Sequence, residues 1–393
     1  GSILTGADIA DGSISTAKLA DTAVSTAKIA DTAISTAKIA DDAVTNSKTA
    51  FNDVPFKNLI INGDMSIAQR GTSSSGITGN GYHTIDRVDT VCSLGTWTQS
   101  QSTDVPSGQG FASSLKMDCT TANASPSTAN TVRVRQVIEG QNLQMIKKGS
   151  SNAESLTLSF WVKSNKTGTY IFEIFDTDNT RTISKSYTIS SADTWEKKTI
   201  VYEGDTSGTI GNDNGGSFEC TFWLGSGSQF TSGTLQTSWG SQTNANRAVG
   251  QVNLADSTSN EWYITGVQLE VGTSASDFEF LPFDVNLQRC ERYYQILAGM
   301  TGQHNGTQSH LGISFRTQMR AQGTLSCPSN SIGFTDGYAS QYNTTSANPA
   351  WTSSYFNYGG RVLISGLPNL SGDPRRGTMI HNSGSGLIVD SEL

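Results

Sequence analysis

The sequence predicts an all-β protein with three parts: a trimeric repeat stalk, a β-sandwich of the jelly-roll type and a sandwich-like C-terminal tip. Three observations predict this architecture. Charged residues make up only 15 % of the 393 residues, far fewer than long amphipathic helices or coiled coils carry. Short apolar runs alternate between stretches of Ser, Thr, Gly and Asn, which is typical of antiparallel sheets. A ten-residue repeat occupies the start of the chain.

The repeat runs from Ile9 to Lys48 in four units that stand in register. Large aliphatic residues fall at every fifth position, namely Ile9, Ile14, Leu19, Val24, Ile29, Ile34, Ile39 and Val44. A period of five makes no stripe on a straight helix and changes face on a straight strand. One aliphatic side chain per five residues is too little apolar surface to offset an ordering cost of ~1–2 kcal/mol per residue. We therefore expect three chains to wind together over residues 1–57 and to place these side chains on a shared axis.

Other interpretations of the repeat remain open at this point. It is also compatible with a flexible low-complexity linker, a monomeric pentapeptide solenoid or a trimeric helical stalk, since Ala and Lys favour helix. The Asp and Lys series of the repeat form either pairs between chains or a solvated face. Gly1 and Ser2 are typical of a cloning remnant, so we expect the natural chain to begin earlier.

Charge and cysteine usage narrow the classes of partner. The net charge is −8, and the chain lacks the basic stripe that nucleic-acid binding requires. No apolar run approaches the ~20 residues that span a membrane, so we expect no membrane insertion. Five widely spaced cysteines without a CxxC pair argue against a disulfide framework and fit assembly in a reducing cytoplasm.

The middle region, residues 58–284, is expected to form the sandwich. Alternating apolar residues predict strands at 156–162, 170–175, 194–202 and 261–270. Short strands separated by turn residues over this length indicate a β-sandwich or jelly roll.

The distal region, residues 285–393, forms the predicted tip. Leu287, Cys290, Tyr294 and Leu297 have helical spacing, which predicts a short helix over residues 284–297. An aromatic-rich stretch follows, and binding residues concentrate on such irregular segments. We expect Trp351, Tyr355 and Tyr358 to contact a ligand, with packing between subunits as the alternative.

Several motifs resemble those of tail fibre proteins of tailed bacteriophages, of the cyanophage and marine-phage type. They are the repeat itself, the runs at 62–71, 266–272 and 286–295, Tyr82 with Asp86-Arg87, a tip strand with Phe315, Met319-Arg320-Ala321 and Thr324, and the terminal Asp390-Ser391-Glu392-Leu393. The resemblance covers nearly the whole chain, although Gly323 and Ser391 depart from the usual pattern. It implies a homotrimeric virion component, assembled in the bacterial cytoplasm, whose N-terminal side attaches to tail or baseplate proteins. Its partner would be a host-surface polysaccharide or lipopolysaccharide.

The middle region is also similar to carbohydrate-binding modules of the galactose-binding-like jelly-roll type. Asn62-Gly63-Asp64, Ser159-Phe160-Trp161-Val162, Thr194-Trp195 and Val267-Gln268-Leu269-Glu270 carry this similarity. Such modules often hold a structural calcium near their terminal strands, which by resemblance suggests Asp64 and Glu270 as ligands. The run Asp176-Thr177-Asp178-Asn179 has oxygen spacing that calcium favours but lacks a downstream Glu, so a plain turn is expected.

Sugar recognition needs a solvent-facing aromatic ring beside polar groups. Trp161, Trp195 and Trp262 alternate along strands and are expected in the core, whereas Trp223 and Trp239 flank a Gly/Ser-rich loop and are ligand candidates. No nucleophile elbow, P-loop, zinc-protease or dinucleotide motif is present, so we expect no enzyme. The alternatives are a tailspike-like depolymerase, which needs only two carboxylates, and a purely structural spacer.

Overall fold

The computed structural model describes residues 56–298, 300–305, 307–327, 332–335, 341–344, 347–354, 358–367, 377–381 and 386–393. Residues 55–393 form one compact unit. The repeat with its eight aliphatic positions lies outside the described residues, and so does Tyr355. The predicted stalk and its trimer axis therefore stay predictions.

The middle region contains two antiparallel sheets that face each other, as an all-β sandwich requires. The first has six strands, which in order across the sheet are β1 (Ser73–Ile77), β4 (Thr96–Ser102), β5 (Ser114–Thr121), β13 (Glu261–Val271), β7 (Leu156–Ser164) and β10 (Glu196–Tyr202). The second has seven: β12 (Gly240–Ser241), β9 (Arg181–Ile189), β8 (Gly168–Asp176), β11 (Gly216–Ser226), β6 (Thr131–Glu139), β3 (Asp89–Cys92) and β2 (Gly81–Tyr82). Four strands expected from alternation are present, with ends shifted by two residues at most.

The sandwich core forms because alternate residues of each strand point between the sheets. On β7 the inward residues Leu158, Phe160 and Val162 are fully buried. Phe222 of β11 joins the two sheets: its ring centroid lies 5.1 Å from that of Phe160 and 5.8 Å from that of Trp262 on β13. The prediction that Trp262 belongs to the core is confirmed.

The distal region adds two smaller antiparallel sheets. One contains β14 (Tyr294–Leu297), β23 (Leu387–Asp390) and β17 (Thr324–Ser326). The other contains β19 (Gln341–Thr344), β18 (Ile332–Thr335), β22 (Gly377–His381), β15 (Thr301–Asn305), β16 (Gln308–Ser314), β21 (Gly359–Ser365) and β20 (Asn348–Ser354). They share a hydrophobic cluster of their own around Leu311, Val362, Ile364 and Val389.

Two helices are described, α1 (Ser228–Thr231) and α2 (Phe283–Glu291), together with four 3₁₀ turns: Gly140–Asn142, Gln144–Ile146, Asn244–Asn246 and Leu254–Asp256. The helix expected over 284–297 ends at Glu291, because residues 294–297 pair with β23 as strand β14. Neither helix in the described part of the chain has the length and apolar character needed to cross a bilayer. Of the expected tip strand with Phe315 and Thr324, only Thr324 lies in a strand, β17, and the Arg320 side chain donates to the backbone oxygens of Ser391 and Glu392.

The motif residues, although distant in sequence, meet where the distal region docks on the sandwich. The Arg87 guanidinium pairs with Glu392 and lies 3.5 Å from the Tyr293 ring centroid. Arg70 contacts Asp390 at 3.1 Å and Glu392 at 3.3 Å. The charged groups of Arg70, Arg87 and Glu392 are buried at this contact and need one another as partners, whereas Asp390 stays 38 % exposed.

Hydrogen bonds join the sandwich and the distal region at two further points of this junction. Glu139, at the end of β6, accepts two hydrogen bonds of 2.7 Å from Arg292 and one of 2.5 Å from the Tyr293 hydroxyl. The Tyr82 hydroxyl donates to the backbone oxygen of Leu393 at 2.9 Å. These motif residues thus hold two regions of the fold together.

Candidate functional site

The outer face of the six-stranded sheet carries polar and aromatic side chains. Because Phe160 and Val162 point into the core, Trp161 and Lys163 of β7 point away from it. On β13, Trp262 and Ile264 point inward, so Tyr263 points outward. Tyr263 is the cross-strand partner of Lys163 on one side and of Lys116 on the other.

Four side chains form a compact group on this face, which we call the sheet-face cluster: Asp104, Lys163, Trp195 and Tyr263. The Lys163 ammonium lies 4.4 Å from the Tyr263 ring centroid and 5.7 Å from that of Trp195. The two ring centroids are 6.2 Å apart, with the ring planes inclined at 67°. Asp104 accepts the indole N–H of Trp195 at 2.9 Å and pairs with Lys163.

A second ion pair borders the cluster. Lys116 of β5 pairs with Glu261, and its ammonium lies 5.4 Å from the Tyr263 ring centroid. The Tyr263 hydroxyl donates to Glu261 at 3.0 Å. Two cations and two carboxylates therefore surround the two aromatic rings, and the charges balance.

The electrostatics keep these groups ionised. Burial by itself raises the pKa of Asp104, but hydrogen bonds from Lys163 and Trp195 outweigh it, and the pKa is lowered. Burial by itself lowers the pKa of Lys116, but its bonds with Glu261 and Tyr263 raise the pKa overall. At neutral pH the face offers carboxylate acceptors and ammonium donors beside aromatic rings. A carboxylate with a lowered pKa is poorly suited to general-acid catalysis at that pH.

This arrangement suits binding of a polyhydroxylated ring. Aromatic faces stack against C–H groups, while charged acceptors and donors bond to hydroxyl groups. The Asp104 side chain is 43 % exposed and Trp195 is half-buried, so a ligand can reach these two residues, whereas Tyr263 is only 7 % exposed and lies beneath them.

The expectation that Trp195 and Trp161 belong to the core is wrong. Trp195 precedes β10 instead of lying within it, and Trp161 is on the outer side of β7; both are half-buried. Asp104, Lys163 and Tyr263 were not foreseen. Alternation from Phe160 and Trp262 was the available signal for Lys163 and Tyr263, whereas Asp104 lies in a loop far from them in sequence.

The prediction that Trp223 faces a ligand is corrected, since its side chain is fully buried. It points away from the sandwich core, but the segment 227–250 covers it, with the Phe230 ring centroid 5.2 Å away. The Arg133 and Arg247 guanidiniums lie 4.7 and 5.2 Å from the Trp223 ring, and its indole N–H donates to Glu173. Trp223 therefore has a packing role.

Trp239 is half-buried and packs against the core. Its ring is stacked on Phe218 at 5.9 Å, and its indole N–H donates to the backbone oxygen of Glu203 at 2.8 Å. These contacts account for its position, and a ligand contact for Trp239 stays a prediction.

The distal candidates are only partly described. Trp351 is half-buried and donates its indole N–H to the Gly323 oxygen at 2.8 Å. Tyr358 is 65 % exposed. Phe315 connects them, because its ring contacts Trp351 and its N–H donates to the Tyr358 oxygen. A ligand contact here stays a prediction, and Tyr355 lies outside the described residues.

Asp64 and Glu270 do not fit a calcium ion. Glu270 accepts the N–H and the hydroxyl of Ser276 at 2.9 and 2.6 Å, and Asp64 accepts hydrogen bonds from Ser66 and Asn286. Calcium needs six to eight oxygen ligands, whereas protein donors already surround these carboxylates. The described residues contain no group of three or more His, Cys, Asp or Glu side chains placed to hold a metal. The 176–179 segment forms the expected turn, with Asp176 paired to Lys148.

No family model matches the sequence, and no curated protein matches it. Solved structures with similar architecture include the enzymatically active domain of tailspike protein 4 of bacteriophage CBA120, at 15 % identity and a TM-score of 0.29. That match covers 56 % of this chain and 22 % of the tailspike chain. A sugar-binding protein of Bacteroides thetaiotaomicron matches at 13 % identity and a TM-score of 0.29, over 55 % of this chain and all of its own.

A family 11 carbohydrate-binding module of a Clostridium thermocellum cellulase is also similar, at 12 % identity and a TM-score of 0.27. It covers 55 % of this chain and 96 % of its own. With identities and TM-scores this low, the functional argument rests on the residues of this chain.

Proposed function

We propose that the chain is a subunit of a homotrimeric bacteriophage tail fibre that binds a host-surface glycan through the sheet-face cluster. The observation that carries this proposal is the placement of the half-buried Trp195 ring beside the exposed Asp104 carboxylate on the outer sheet face, with Lys163 and the buried Tyr263 ring beneath them. The motifs shared with phage fibre proteins and the repeat support the fibre context.

The chemistry of the cluster favours a sugar over other ligands. A hexose presents apolar C–H groups on its ring faces and hydroxyl groups at its edge, and the cluster offers a partner for each. Because Asp104 and Lys163 are adjacent and oppositely charged, one hydroxyl can donate to the carboxylate while its neighbour accepts from the ammonium. Opposite charges that cancel suit a neutral sugar.

The inclination of the two rings restricts how the sugar binds. The Tyr263 ring is inclined at 67° to the Trp195 ring and is only 7 % exposed, so the cluster does not make a flat platform for an extended polysaccharide. The cluster is better suited to a chain end or a bent branch, of the kind that a surface polysaccharide or lipopolysaccharide displays. Weak individual sites suffice, since three copies per fibre and several fibres per particle raise avidity.

The proposed context follows from the sequence. The repeat holds three copies together, the N-terminal side attaches to tail or baseplate proteins, and the fibre is assembled in the host cytoplasm and carried on the virion. Catalysis is not part of the proposal, because the lowered pKa of Asp104 does not provide a general acid.

Binding of the full chain to host cells and to their purified surface polysaccharide tests the proposal. We expect Trp195→Ala to weaken binding about tenfold, corresponding to the loss of ~1.4 kcal/mol of stacking and hydrogen bonding. Tyr358→Ala tests the distal candidate site. Phe283→Ala is the control: it removes an exposed aromatic residue outside both candidate sites and should leave the affinity unchanged. Circular dichroism would verify that the variants are folded.

The other outcomes point to specific alternatives. Loss of binding in Tyr358→Ala alone would move the site to the distal region. Release of reducing sugar by the wild-type chain would identify a depolymerase. A wild-type chain that binds neither cells nor polysaccharide would be a structural spacer.

A further inference from the structure

A cleft of about 520 Å³ lies between the end of β6, helix α2 and the start of the described chain. The buried side chains of Leu59, Ile61 and Ile138 form part of its wall. Phe56 and Met145, which also line the cleft, are 58 % and 49 % exposed. The cleft therefore has the size of a small-molecule site and offers apolar surface to a ligand.

Arg289 of α2 brings a positive charge to this cleft. Its Nη2 donates a hydrogen bond of 3.2 Å to the backbone oxygen of Asn58. The charge of Glu279 acts on Arg289, but the two carboxylate oxygens of Glu279 accept the backbone N–H groups of Phe56 and Asn58. Among the residues that the structure describes, no carboxylate forms an ion pair with the Arg289 guanidinium.

Arg292, the second cation that lines the cleft, is already paired. Its Nε and Nη2 donate to the two carboxylate oxygens of Glu139 at 2.7 Å each. The hydrogen bonds with Glu139 raise the pKa of Arg292, whereas burial lowers the pKa of Arg289. A half-buried guanidinium without an anion costs free energy, and a bound carboxylate would offset that cost.

Two exposed amide side chains lie on the rim of the cleft. They belong to Gln141 and Asn142 of the 3₁₀ turn Gly140–Asn142. An amide both donates to hydroxyl groups and accepts from them. A ligand that uses the whole cleft has a carboxylate for Arg289, hydroxyl groups for the amides and a face of C–H groups for the Phe56 ring.

We propose that this cleft binds an acidic sugar, that is, a hexose ring that carries a carboxylate. A fatty acid would occupy the apolar wall and pair with Arg289, but it would leave Gln141 and Asn142 without hydroxyl partners. The inference rests on the proposed function in taking the sugar to be part of a host-surface glycan. It adds an acidic unit to the neutral sugar at the sheet-face cluster. No residue of that cluster lies on β6 or α2, so the two sites can be tested separately.

Titration of the full chain with glucuronate, glucuronamide and hexanoate, followed by ligand-detected NMR, tests the cleft. Glucuronamide has the same ring without the charge, and hexanoate has the charge without hydroxyl groups. We expect glucuronate to bind with a millimolar Kd and about tenfold more tightly than either of the other two. Equal affinity for glucuronate and glucuronamide, equal affinity for glucuronate and hexanoate, or no glucuronate binding would overturn the proposal.

A matched pair of variants at the rim locates the binding. Met145→Glu places an anion beside the bound carboxylate, whereas Met145→Gln changes the side chain to a similar shape without a charge. Because Met145 is 49 % exposed, both variants should fold. We expect the glutamate to weaken glucuronate binding about tenfold more than the glutamine does, since like charges repel. Equal affinities of the two variants would place the carboxylate elsewhere and overturn the proposal.

A second pair tests the cation itself. Arg289→Gln should weaken glucuronate binding about tenfold, because it removes the charge that pairs with the carboxylate. Arg361→Gln is the control, since it removes an exposed arginine of β21 in the distal region and should leave the affinity unchanged. Equal losses in the two variants would mean that the net charge of the protein, and not the cleft, attracts glucuronate.

Trp195→Ala separates this inference from the proposed function. This variant should bind host polysaccharide more weakly and glucuronate as well as the wild type does. Glucuronate binding by a wild-type chain that binds neither cells nor polysaccharide would retain the cleft site and remove the receptor function. Polysaccharide binding that depends on Trp195, without any glucuronate binding, would remove the cleft site and retain the receptor function.

Discussion

Glu173 is one carboxylate that holds several buried groups beneath the segment 227–250. It is fully buried and bonds the Arg247 guanidinium twice, at 2.7 and 2.9 Å. It also accepts the Trp223 indole N–H at 3.0 Å and the Thr182 hydroxyl at 2.9 Å. Arg133 lies nearby, and burial together with Arg247 lowers its pKa to about 10. The buried Glu173 carboxylate thus lies beside two cations, Arg247 and Arg133, beneath this segment.

We predict that Glu173→Gln destabilises the fold by about 3–5 kcal/mol, because breaking a buried pair leaves a buried charge uncompensated. The free energy of unfolding from urea denaturation would measure this. Glu203→Gln is the control: Glu203 pairs with Lys185 at 3.0 Å, but its side chain is 49 % exposed, so we expect less than about 1 kcal/mol. A loss in Glu173→Gln no larger than in the control would contradict the structural role.

Truncation of Trp223 should lower mainly the stability, whereas truncation of Trp195 should lower mainly the glycan affinity. Trp223→Ala removes a fully buried ring and should cost about 3–5 kcal/mol of stability while the folded protein retains its glycan affinity. Trp195→Ala should affect the affinity much more than the stability. Thermal unfolding and glycan binding, measured on both variants, would show whether the two tryptophans have separate roles.

At the scale of elements, β13 carries an irregularity that shapes both faces of the sheet. Its pairing register with β7 shifts between Thr265 and Gln268. Gly266 lies in this interval with φ +63°, and a Cβ there would meet the Phe111 ring at 2.5 Å. The absence of a side chain at Gly266 allows the Phe111 ring, with Phe278 and Phe280 packed on it, to lie against the strand.

We predict that Gly266→Ala destabilises the protein more than Gly250→Ala does. Both glycines have positive φ, so each alanine costs roughly 1–2 kcal/mol of backbone strain. Gly250 has open space around it, whereas Gly266 has the Phe111 ring. Equal melting temperatures for the two variants would show that Phe111 moves aside without cost.

The junction between the sandwich and the distal region should weaken in acid. Burial by itself raises the pKa of Glu139, but hydrogen bonds from Arg292 and Tyr293 outweigh it, and the pKa falls below its ordinary value of 4.5. A lowered pKa in the folded state means that the ionised form stabilises the fold above pH 4.5. That contribution is lost as the pH falls through the folded-state pKa.

The matching variant is Glu139→Gln. At neutral pH we expect it to melt below the wild type, and the difference should shrink as the pH falls below 4.5. Melting curves over a series of acidic buffers would measure it. A difference that is constant with pH would mean that the charge of Glu139 does not stabilise the junction.

At the scale of the whole molecule, we propose that the repeat directs the assembly. Light scattering of the full chain should give the mass of three chains, because one aliphatic side chain per five residues cannot stabilise a single repeat strand. A mass equal to one chain would remove the trimeric stalk. The measurement is independent of glycan binding.

Four strands of the sandwich could be predicted from the sequence. The inward side chains of β7, β8 and β13 alternate so regularly that strand ends were correct to within two residues. The distal helix was overextended, because Tyr294 and Leu297 have helical spacing but gain more by pairing with β23. Local periodicity contains no information about a pairing strand that lies about ninety residues away along the chain.

Local periodicity also could not decide which of the candidate tryptophans are exposed. Trp223 and Trp161 both point away from the sandwich core, as alternation requires. The segment 227–250 covers Trp223, while the face near Trp161 and Trp195 stays open. Asp104 reaches Trp195 from a loop ninety-one residues earlier, and no spacing rule connects them.

The sequence by itself determined the all-β class and the positions of four sandwich strands, β7, β8, β10 and β13, since these depend on residue type and local period. Only the tertiary structure decided which outward aromatic rings meet solvent and which motif residues meet one another. Burial depends on what packs over a strand, and that cover comes from segments remote in sequence. The charge pairs of the sheet-face cluster and the junction exist for the same reason.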